Sequence, residues 1–181
     1  MHGVVSLLPQ PFYKMIETLW DEFDSRFGLK SVKITPFPHF SWTVARDYSK
    51  PDIQAALGRL SKQINPFTVT TSGIGIFPGS QPVVYIRMVK NPDLFSIHES
   101  ILAGLREPVL KDLDPNYEPD KWIPHITLAY QDLNKENLGA VISWLANQEF
   151  HWKFQIDNLA FISGDSDQTS ELKYVYRLQG I

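Results

Sequence analysis

The chain has 181 residues, a formal net charge of −3 and no cysteine. This length and a hydrophobic content of 43% are enough for one folded domain with a sizeable core. The lack of cysteine excludes disulfides, thiolate nucleophiles and cysteine-ligated zinc. Because the net charge is slightly negative and no dense run of Lys and Arg occurs, a small or single-ended substrate is favoured over an extended nucleic-acid duplex.

The amino terminus and the hydropathy of the chain bear on its location. Residues 1–9 carry no basic region ahead of their short apolar run, unlike a secretory signal peptide. No stretch approaches the roughly 20 apolar residues that span a bilayer. We therefore expect a cytoplasmic monomer with no membrane partner and no DNA partner.

Hydrophobic periodicity predicts four amphipathic helices and six strands. Helical spacing occurs in residues 11–27, 52–63, 92–105 and 134–147. Ser49 and Asn134 stand where the N-caps of the second and fourth helices are expected. Apolar or alternating runs predict strands at 38–44, 67–77, 83–88, 124–129, 152–162 and 174–178. The polar segment 164–171 is predicted as a surface loop, and 115–120 as a mobile loop.

Two of these strands carry the same short motif. His39 and Ser41 stand in one, and His125 and Thr127 stand in the other. Residues i and i+2 of a strand share a face, so each strand presents an imidazole beside a hydroxyl. Two such pairs would supply a general base, a general acid and two hydroxyl donors around one phosphate. This set of side chains suits phosphodiester chemistry, and we expect it to need no metal and no cofactor.

The segments around the two motifs repeat along the chain. Each motif strand is followed by a helix, a long strand and a closing strand, so that 67–77 matches 152–162 and 83–88 matches 174–178. This duplication predicts one bilobal domain over residues 1–181, with motif 1 around 38–44 and motif 2 around 124–129. We predict an α+β fold in which two pseudo-twofold-related antiparallel β-sheets are backed by helices. The active-site cleft is expected between the lobes.

Residues near the motifs are candidates for contacting a substrate. Strand alternation places Thr43 on the same face as Ser41. His98 and His151 lack the motif and are expected at the surface. Aromatic side chains that could stack on a nucleotide base are Phe37, Tyr85, Trp122 and Tyr130. Cations that could support a phosphate are Arg46, Arg87 and Lys121.

The two motifs resemble the signature of the 2H phosphoesterase superfamily, which includes 2′-5′ RNA ligase-like proteins and cyclic nucleotide phosphodiesterases. That signature is two His-x-Thr/Ser-x-hydrophobic motifs, here His39–Trp42 and His125–Leu128. The string from Trp122 to Ala129 is similar to the second motif of the ligase-like branch. The resemblance covers nearly the whole chain. It implies a bilobal α+β fold and metal-independent chemistry on 2′,3′-cyclic or 2′-5′ phosphodiesters.

Two positions depart from the family pattern. Ser41 stands where threonine is commoner, and it keeps the hydroxyl. Many ligase-like members place an arginine five positions after the second histidine, where this chain has Tyr130. The missing cation speaks against ligase-like handling of a second phosphate or a long RNA end.

The sequence thus predicts a 2′,3′-cyclic phosphodiesterase that acts on nucleotides or RNA ends. His39 and His125 are the expected acid/base pair, and Ser41 and Thr127 the expected phosphate-binding hydroxyls. Thr43, Tyr85, Trp122 and Tyr130 are possible substrate-binding residues. Alternatives are a 2′-5′ oligonucleotide phosphodiesterase or RNA ligase, a non-catalytic protein that binds nucleotides or RNA ends, and a substrate such as a cyclic phosphate of an ADP-ribose derivative.

Overall fold

A computed structural model describes residues 2–106, 109–164 and 168–180. Over these residues the fold is α+β, as predicted. The helices are α1 (Phe12–Phe27), α2 (Lys50–Gln63), α3 (Pro92–Leu105) and α4 (Leu138–Leu145). The strands are β1 (His2–Leu7), β2 (His39–Tyr48), β3 (Phe67–Phe77), β4 (Val83–Met88), β5 (Leu110–Leu113), β6 (His125–Ala129), β7 (Lys153–Ile156), β8 (Asn158–Ser163) and β9 (Glu171–Arg177).

Two antiparallel sheets meet at the strands that carry the motifs. Hydrogen bonds join β7, β3, β4 and β6 in that order in one sheet, and β2, β1, β8 and β9 in the other. The sheets are continuous where β2 pairs with β6 through Phe40 and Ile126. Strand β5 pairs with the far part of β2. The predicted motif strands therefore lie side by side in the middle of the fold.

The lobes exchange strands between the two halves of the sequence. The sheet that contains β2 is completed by β8 and β9 from the end of the chain, while β3 and β4 join β6. The predicted match between the closing strands 83–88 and 174–178 is therefore wrong. Instead, β4 lies beside β6 as β1 lies beside β2. Strand β1 was not predicted because its apolar run is short.

One face of the motif strands packs on helices, in agreement with the prediction that helices back the sheets. Phe40, Trp42, Ile126 and Leu128 are completely buried in the main core. Helix α1 covers part of this face with its buried stripe of Ile16, Trp20 and Phe23. The opposite face carries the motif side chains, and we call it the front face.

Both motif strands bulge directly after the motif. Val5 pairs with Ser41 and Val4 with Thr43, so Trp42 has no partner in β1. In the other lobe, Tyr85 pairs with Thr127 and Val84 with Ala129, so Leu128 has no partner in β4. A bulge interrupts the alternation of side chains. As a result, the residue after each bulge is buried together with the bulged residue.

Other predicted elements differ in their boundaries. The strand predicted over 152–162 divides at Asp157, because β7 pairs with β3 whereas β8 pairs with β1. Asn134 accepts hydrogen bonds from the backbone of Glu136 and Asn137 in the turn before α4, which is shorter than predicted. Within the predicted loop 164–171, residues 165–167 lie outside the described residues.

Candidate active site

Four polar side chains form a square on the front face. Because antiparallel strands pair Phe40 with Ile126, the same register places His39 beside Thr127 and Ser41 beside His125. Cross-strand neighbours of this kind have Cβ atoms about 4.5–5.5 Å apart. Each imidazole therefore has the hydroxyl of its own motif two residues away and the hydroxyl of the other motif across the strand pair. All four side chains are partly exposed.

Both imidazoles are held in the same orientation. His39 Nδ1 bonds to the backbone carbonyl of Phe37, and His125 Nδ1 bonds to that of Ile123 at 2.7 Å. A carbonyl oxygen only accepts, so Nδ1 carries the proton in each ring. In the neutral ring, Nε2 carries the lone pair and can accept a proton. In the protonated ring, Nε2 carries the second N–H and can donate a proton. Either histidine can thus serve as a base or as an acid through Nε2.

Burial keeps both imidazoles neutral near pH 7. The pKa of His39 falls from 6.5 to about 4, because desolvation and, to a smaller extent, the charge of a protonated His125 outweigh the opposing effect of the Phe37 carbonyl. Desolvation also lowers the pKa of His125, again opposed by its carbonyl partner. A bound phosphate has the opposite effect, because a nearby anion favours the protonated ring.

Buried tryptophans fix the backbone of the two hydroxyl residues. Trp122 Nε1 donates to the carbonyl of Ser41 at 3.0 Å, and Trp20 Nε1 donates to that of Thr127 at 3.2 Å. The two motifs are thus anchored from behind in the same way. This anchoring fixes the strand positions from which Ser41 and Thr127 present their hydroxyls.

Ser41 has an additional neighbour from the 3₁₀ turn Pro115–Tyr117. The Ser41 side chain interacts with the hydroxyl of Tyr117 and lowers its pKa, against the larger effect of burial. Burial raises the pKa of Tyr117 to about 12. This turn belongs to the segment predicted as a mobile loop. Its backbone is tied to the strand by the bond from Asp114 N to Val44 O, 2.9 Å.

An aromatic cluster packs against His125. The rings of Phe77 and Tyr85 are stacked with centroids 4.2 Å apart, and they lie 5.0 and 5.1 Å from the imidazole. Tyr85 is buried and crosses the neighbouring strand over Gly75, where a Cβ would come within 2.4 Å of its ring. Phe77 is partly exposed. Tyr85 thus supports His125 from the side, and Phe77 offers the more accessible ring.

Three of the four possible substrate-binding residues are buried: Tyr85 beside His125, and also Thr43 and Trp122. Thr43 is completely buried, and its Oγ1 lies 2.8 Å from Tyr48 Oη, since the bulge turns it away from the front face. Trp122 is 2% exposed and stacks on Trp42. The prediction that these two side chains face a ligand is wrong. Tyr130 follows the end of β6 and is partly exposed.

His98 is also misplaced by the sequence analysis. It was expected at the surface, but it is completely buried in α3. Its ring stacks on Trp122 with centroids 3.9 Å apart and 4° between the planes, and its Nε2 bonds to the carbonyl of Trp42 at 3.0 Å. His151 is exposed, as expected. His98 therefore supports the motif strand from behind.

Sequence reasoning missed Phe77 and Tyr117. Phe77 ends a strand of the predicted set, and its place next to His125 follows only from the pairing of β3 with β4 and of β4 with β6. Tyr117 had one signal, its position in the loop just before the second motif. Among the possible cations, Arg87 pairs directly with His125. Within the described residues, no group of three or more His, Asp or Glu side chains is arranged to hold a metal ion.

Comparisons of sequence give a consistent family. A family model described as the 2′-5′ RNA ligase superfamily matches residues 9–168. A Bacillus cereus (strain B4264) protein that carries a phosphoesterase name is 24% identical over 176 residues, which are 97% of this chain and 95% of that protein. Another such protein, from Bacillus mycoides, is 23% identical over 155 residues, covering 86% of this chain and 83% of its own.

Comparisons of structure give the same fold. TT0787 of Thermus thermophilus superposes with a TM-score of 0.70 at 17% identity, covering 99% of this chain and 98% of its own. Escherichia coli LigT in complex with 3′-AMP gives a TM-score of 0.59 at 17% identity, covering 98% of this chain and 97% of its own.

No helix in the described part of this chain is long and apolar enough to cross a membrane.

Proposed function

Because this chain belongs to the 2′-5′ RNA ligase superfamily, we propose that it hydrolyses 2′,3′-cyclic phosphates of nucleotides or RNA ends. The observation that carries this proposal is the square of His39, Ser41, His125 and Thr127. It places two imidazoles with free Nε2 atoms and two hydroxyls around a space between adjacent strands. A phosphate bound there would have a base, an acid and two donors around it.

The proposed reaction uses one imidazole in each protonation state. Nε2 of the neutral ring takes a proton from a water molecule as the water oxygen bonds to phosphorus. The bond from phosphorus to one ribose oxygen breaks, and Nε2–H of the protonated ring gives its proton to that oxygen. The product is a phosphomonoester. The hydroxyls of Ser41 and Thr127 donate to the non-bridging oxygens and stabilise the charge that develops there.

A nucleotide is the proposed ligand of this site. E. coli LigT has the same fold, and its crystal structures include complexes with 3′-AMP, ATP and NADP+. In this chain the partly exposed Phe77 lies beside His125 and offers a ring on which a base can stack. Stacking of a base on an aromatic side chain contributes about 1–3 kcal/mol.

The proposal is tested by hydrolysis of a panel of 2′,3′-cyclic nucleotides in the presence of EDTA. The panel also includes a 2′-5′ dinucleotide and a cyclic phosphate of an ADP-ribose derivative. We expect turnover of the cyclic nucleotides by the wild type, and loss of it in both His39→Ala and His125→Ala. Chromatography of the products as 2′- or 3′-monophosphates identifies which ester bond breaks.

The alternatives give distinct outcomes in the same assay. Cleavage of the 2′-5′ dinucleotide alone would replace the proposal by an oligonucleotide phosphodiesterase. Cleavage of the ADP-ribose derivative alone would move the substrate outside RNA. Tight binding of 3′-nucleotides without turnover of any substrate, by folded protein, would indicate a non-catalytic binding protein and would contradict the proposal.

A further inference from the structure

Arg87 stands next to the catalytic square on the front face. In β4 it pairs directly with His125, and its neighbour on the same face, Tyr85, pairs with Thr127. Residues directly opposite each other in an antiparallel pair share a face, with Cβ atoms about 4.5–5.5 Å apart. Arg87 is exposed. Its side chain therefore leaves the sheet beside His125, on the side away from β2.

The guanidinium of Arg87 has no carboxylate partner in the described part of the chain. None of the ion pairs found there includes it. The neighbouring strand positions on the front face are occupied by the two motifs and by Tyr85, and none of these residues is acidic. A solvent-accessible arginine without an internal anion is free to bind a phosphate through two parallel N–H donors.

The opposite side of the square is apolar. Strand β1 places Leu7 beside His39 and Val5 beside Ser41, as β4 places Arg87 beside His125 and Tyr85 beside Thr127. Leu7 and Val5 belong to a small apolar cluster that also contains Phe37. The two positions beside the motif are therefore aliphatic in β1 but carry an arginine and a tyrosine in β4. Of these four described positions in β1 and β4, Arg87 is the one that carries a positive charge.

The position of Arg87 separates it from the reacting phosphate. The square holds that phosphate between β6 and β2, and β4 is one strand further out, at a spacing of about 4.8 Å. An anionic group that extends from the substrate across β4 would meet the guanidinium. A group that extends across β1 would meet aliphatic side chains.

We propose that Arg87 binds a second phosphate of the substrate, so that the preferred substrates are nucleotides that carry a 5′-phosphate in addition to the 2′,3′-cyclic phosphate. This inference rests on the proposed cyclic phosphodiesterase reaction and adds the substrate class. It also orients the ligand, with the 5′-phosphate over β4.

The test compares kcat/KM for a 2′,3′-cyclic nucleotide with and without a 5′-phosphate. We expect the wild type to prefer the 5′-phosphorylated form by roughly 10- to 100-fold, as for a charge-assisted hydrogen bond. Arg87→Gln should bring this ratio close to one. Arg59→Gln is the matched control, because Arg59 is a solvent-accessible arginine on α2, away from the motifs, and it should keep the wild-type ratio.

Each outcome is decisive. An equal loss on both substrates in Arg87→Gln would show that Arg87 binds the reacting phosphate, and would overturn the inference. A wild type that does not prefer the 5′-phosphate would overturn it too. If no cyclic nucleotide is turned over, the proposed function fails, and calorimetry still tests the subsite. Nucleoside 3′,5′-bisphosphate should then bind more tightly than 3′-monophosphate to the wild type, and the advantage should disappear in Arg87→Gln.

Discussion

The two imidazoles are held in the same tautomer by the same kind of local contact. Each Nδ1 donates to a carbonyl two residues upstream along the chain. This fixes the tautomer before any substrate binds, so that no reorientation is needed during the reaction. The proposed acid and base are therefore distinguished only by which ring is protonated, and the surroundings of each ring decide that.

The pH dependence of kcat/KM follows from the lowered pKa values. The proposed reaction needs one protonated and one neutral ring, but in the free protein burial lowers both pKa values, to about 4 for His39. The singly protonated pair thus becomes scarcer as pH rises above these values. Because both pKa values lie below 6.5, we expect kcat/KM to be highest below that pH and to fall steadily as pH rises from about 6.5 to 8. A kcat/KM that rises over this interval, with the fold intact by circular dichroism, would contradict the scheme.

Tyr117 is expected to act through Ser41. The Tyr117 hydroxyl interacts with the Ser41 side chain and can orient the serine hydroxyl toward the phosphate. Tyr117→Phe removes this interaction, and a loss on the scale of one hydrogen bond, about 0.5–1.5 kcal/mol, should lower kcat/KM by roughly 3- to 10-fold. In a Ser41→Ala background the same change should have no further effect, as measured in a double-mutant cycle.

Tyr48 provides the matched control for this prediction. Its side chain is buried, and its hydroxyl is hydrogen bonded to Thr43 and not next to a motif side chain. Tyr48→Phe should lower the free energy of unfolding without a comparable loss of kcat/KM. If both tyrosine variants lose activity equally, or if the effects of Tyr117→Phe and Ser41→Ala add, Tyr117 is only a packing residue.

At the residue scale, the motif could be predicted because strand alternation is a local property. His39 and Ser41 share a face whatever the rest of the chain does. The position of Thr43 depends on a bulge that forms against β1, a strand the sequence analysis did not identify. Trp122 and His98 are buried because their rings stack on each other, between α3 and the segment that leads into the second motif. The periodicity of a sequence does not encode such a contact, so the burial of these two residues could not be predicted.

At the scale of the element, β3 is shaped by its neighbour. Tyr85 lies across Gly75, which leaves room for the ring only because it has no Cβ. Gly75→Ala should push Tyr85 away from Phe77 and His125. We expect a loss of about 1–3 kcal/mol in the free energy of unfolding, as for other overpacked sites, together with a lower kcat/KM. Urea titration measures the first quantity.

Gly139 is the control for Gly75. It lies in α4, and a Cβ added there meets nothing within 4 Å. Gly139→Ala should therefore stabilise the protein by up to about 1 kcal/mol through helix propensity, with kcat/KM unchanged. Equal stability of the two alanine variants would show that Tyr85 adjusts freely and does not depend on Gly75.

The elements themselves followed largely from their patterns. Helices α1 and α3 and strands β3 and β4 lie close to the predicted boundaries, because each has a clear period and a flanking proline, glycine or polar segment. The split between β7 and β8 at Asp157 could not be predicted, since it reflects pairing with two different partner strands. Local pattern determines the type of an element, whereas pairing determines where it is interrupted.

At the scale of the whole molecule, the two lobes share strands from both ends of the chain. Strand β2 is flanked by the amino-terminal strand β1, and the sheet is completed by β8 and β9. Asn158, in β8, fixes this arrangement with side-chain hydrogen bonds to the backbone N and O of Leu7, at 2.8 and 3.0 Å. Sequence comparison of the two halves found the motifs but assigned the closing strands to the wrong partners.

Stability should depend on pH through His98. Burial lowers its pKa to about 4 from 6.5, so between these values the unfolded chain binds the proton more readily than the folded one. The contribution of His98 to the free energy of unfolding is therefore fully present above about pH 6.5. It decreases by up to about 3 kcal/mol as pH falls toward about 4. His98→Gln should flatten this part of the pH profile of the free energy of unfolding. An unchanged pH profile in His98→Gln would contradict this role of His98. The free energy of unfolding of the variant at neutral pH separately measures the packing that the substitution removes.

The central claim is that His39 and His125 act as one unit on one phosphate. It is tested most directly by kcat/KM for a single 2′,3′-cyclic nucleotide with His39→Gln, His125→Gln and the double variant. We predict that each single change loses roughly 10²–10⁴-fold, and that the double variant loses little more than the worse single one, as for groups that act together. A single variant within about tenfold of the wild type, or losses that multiply, would contradict the account.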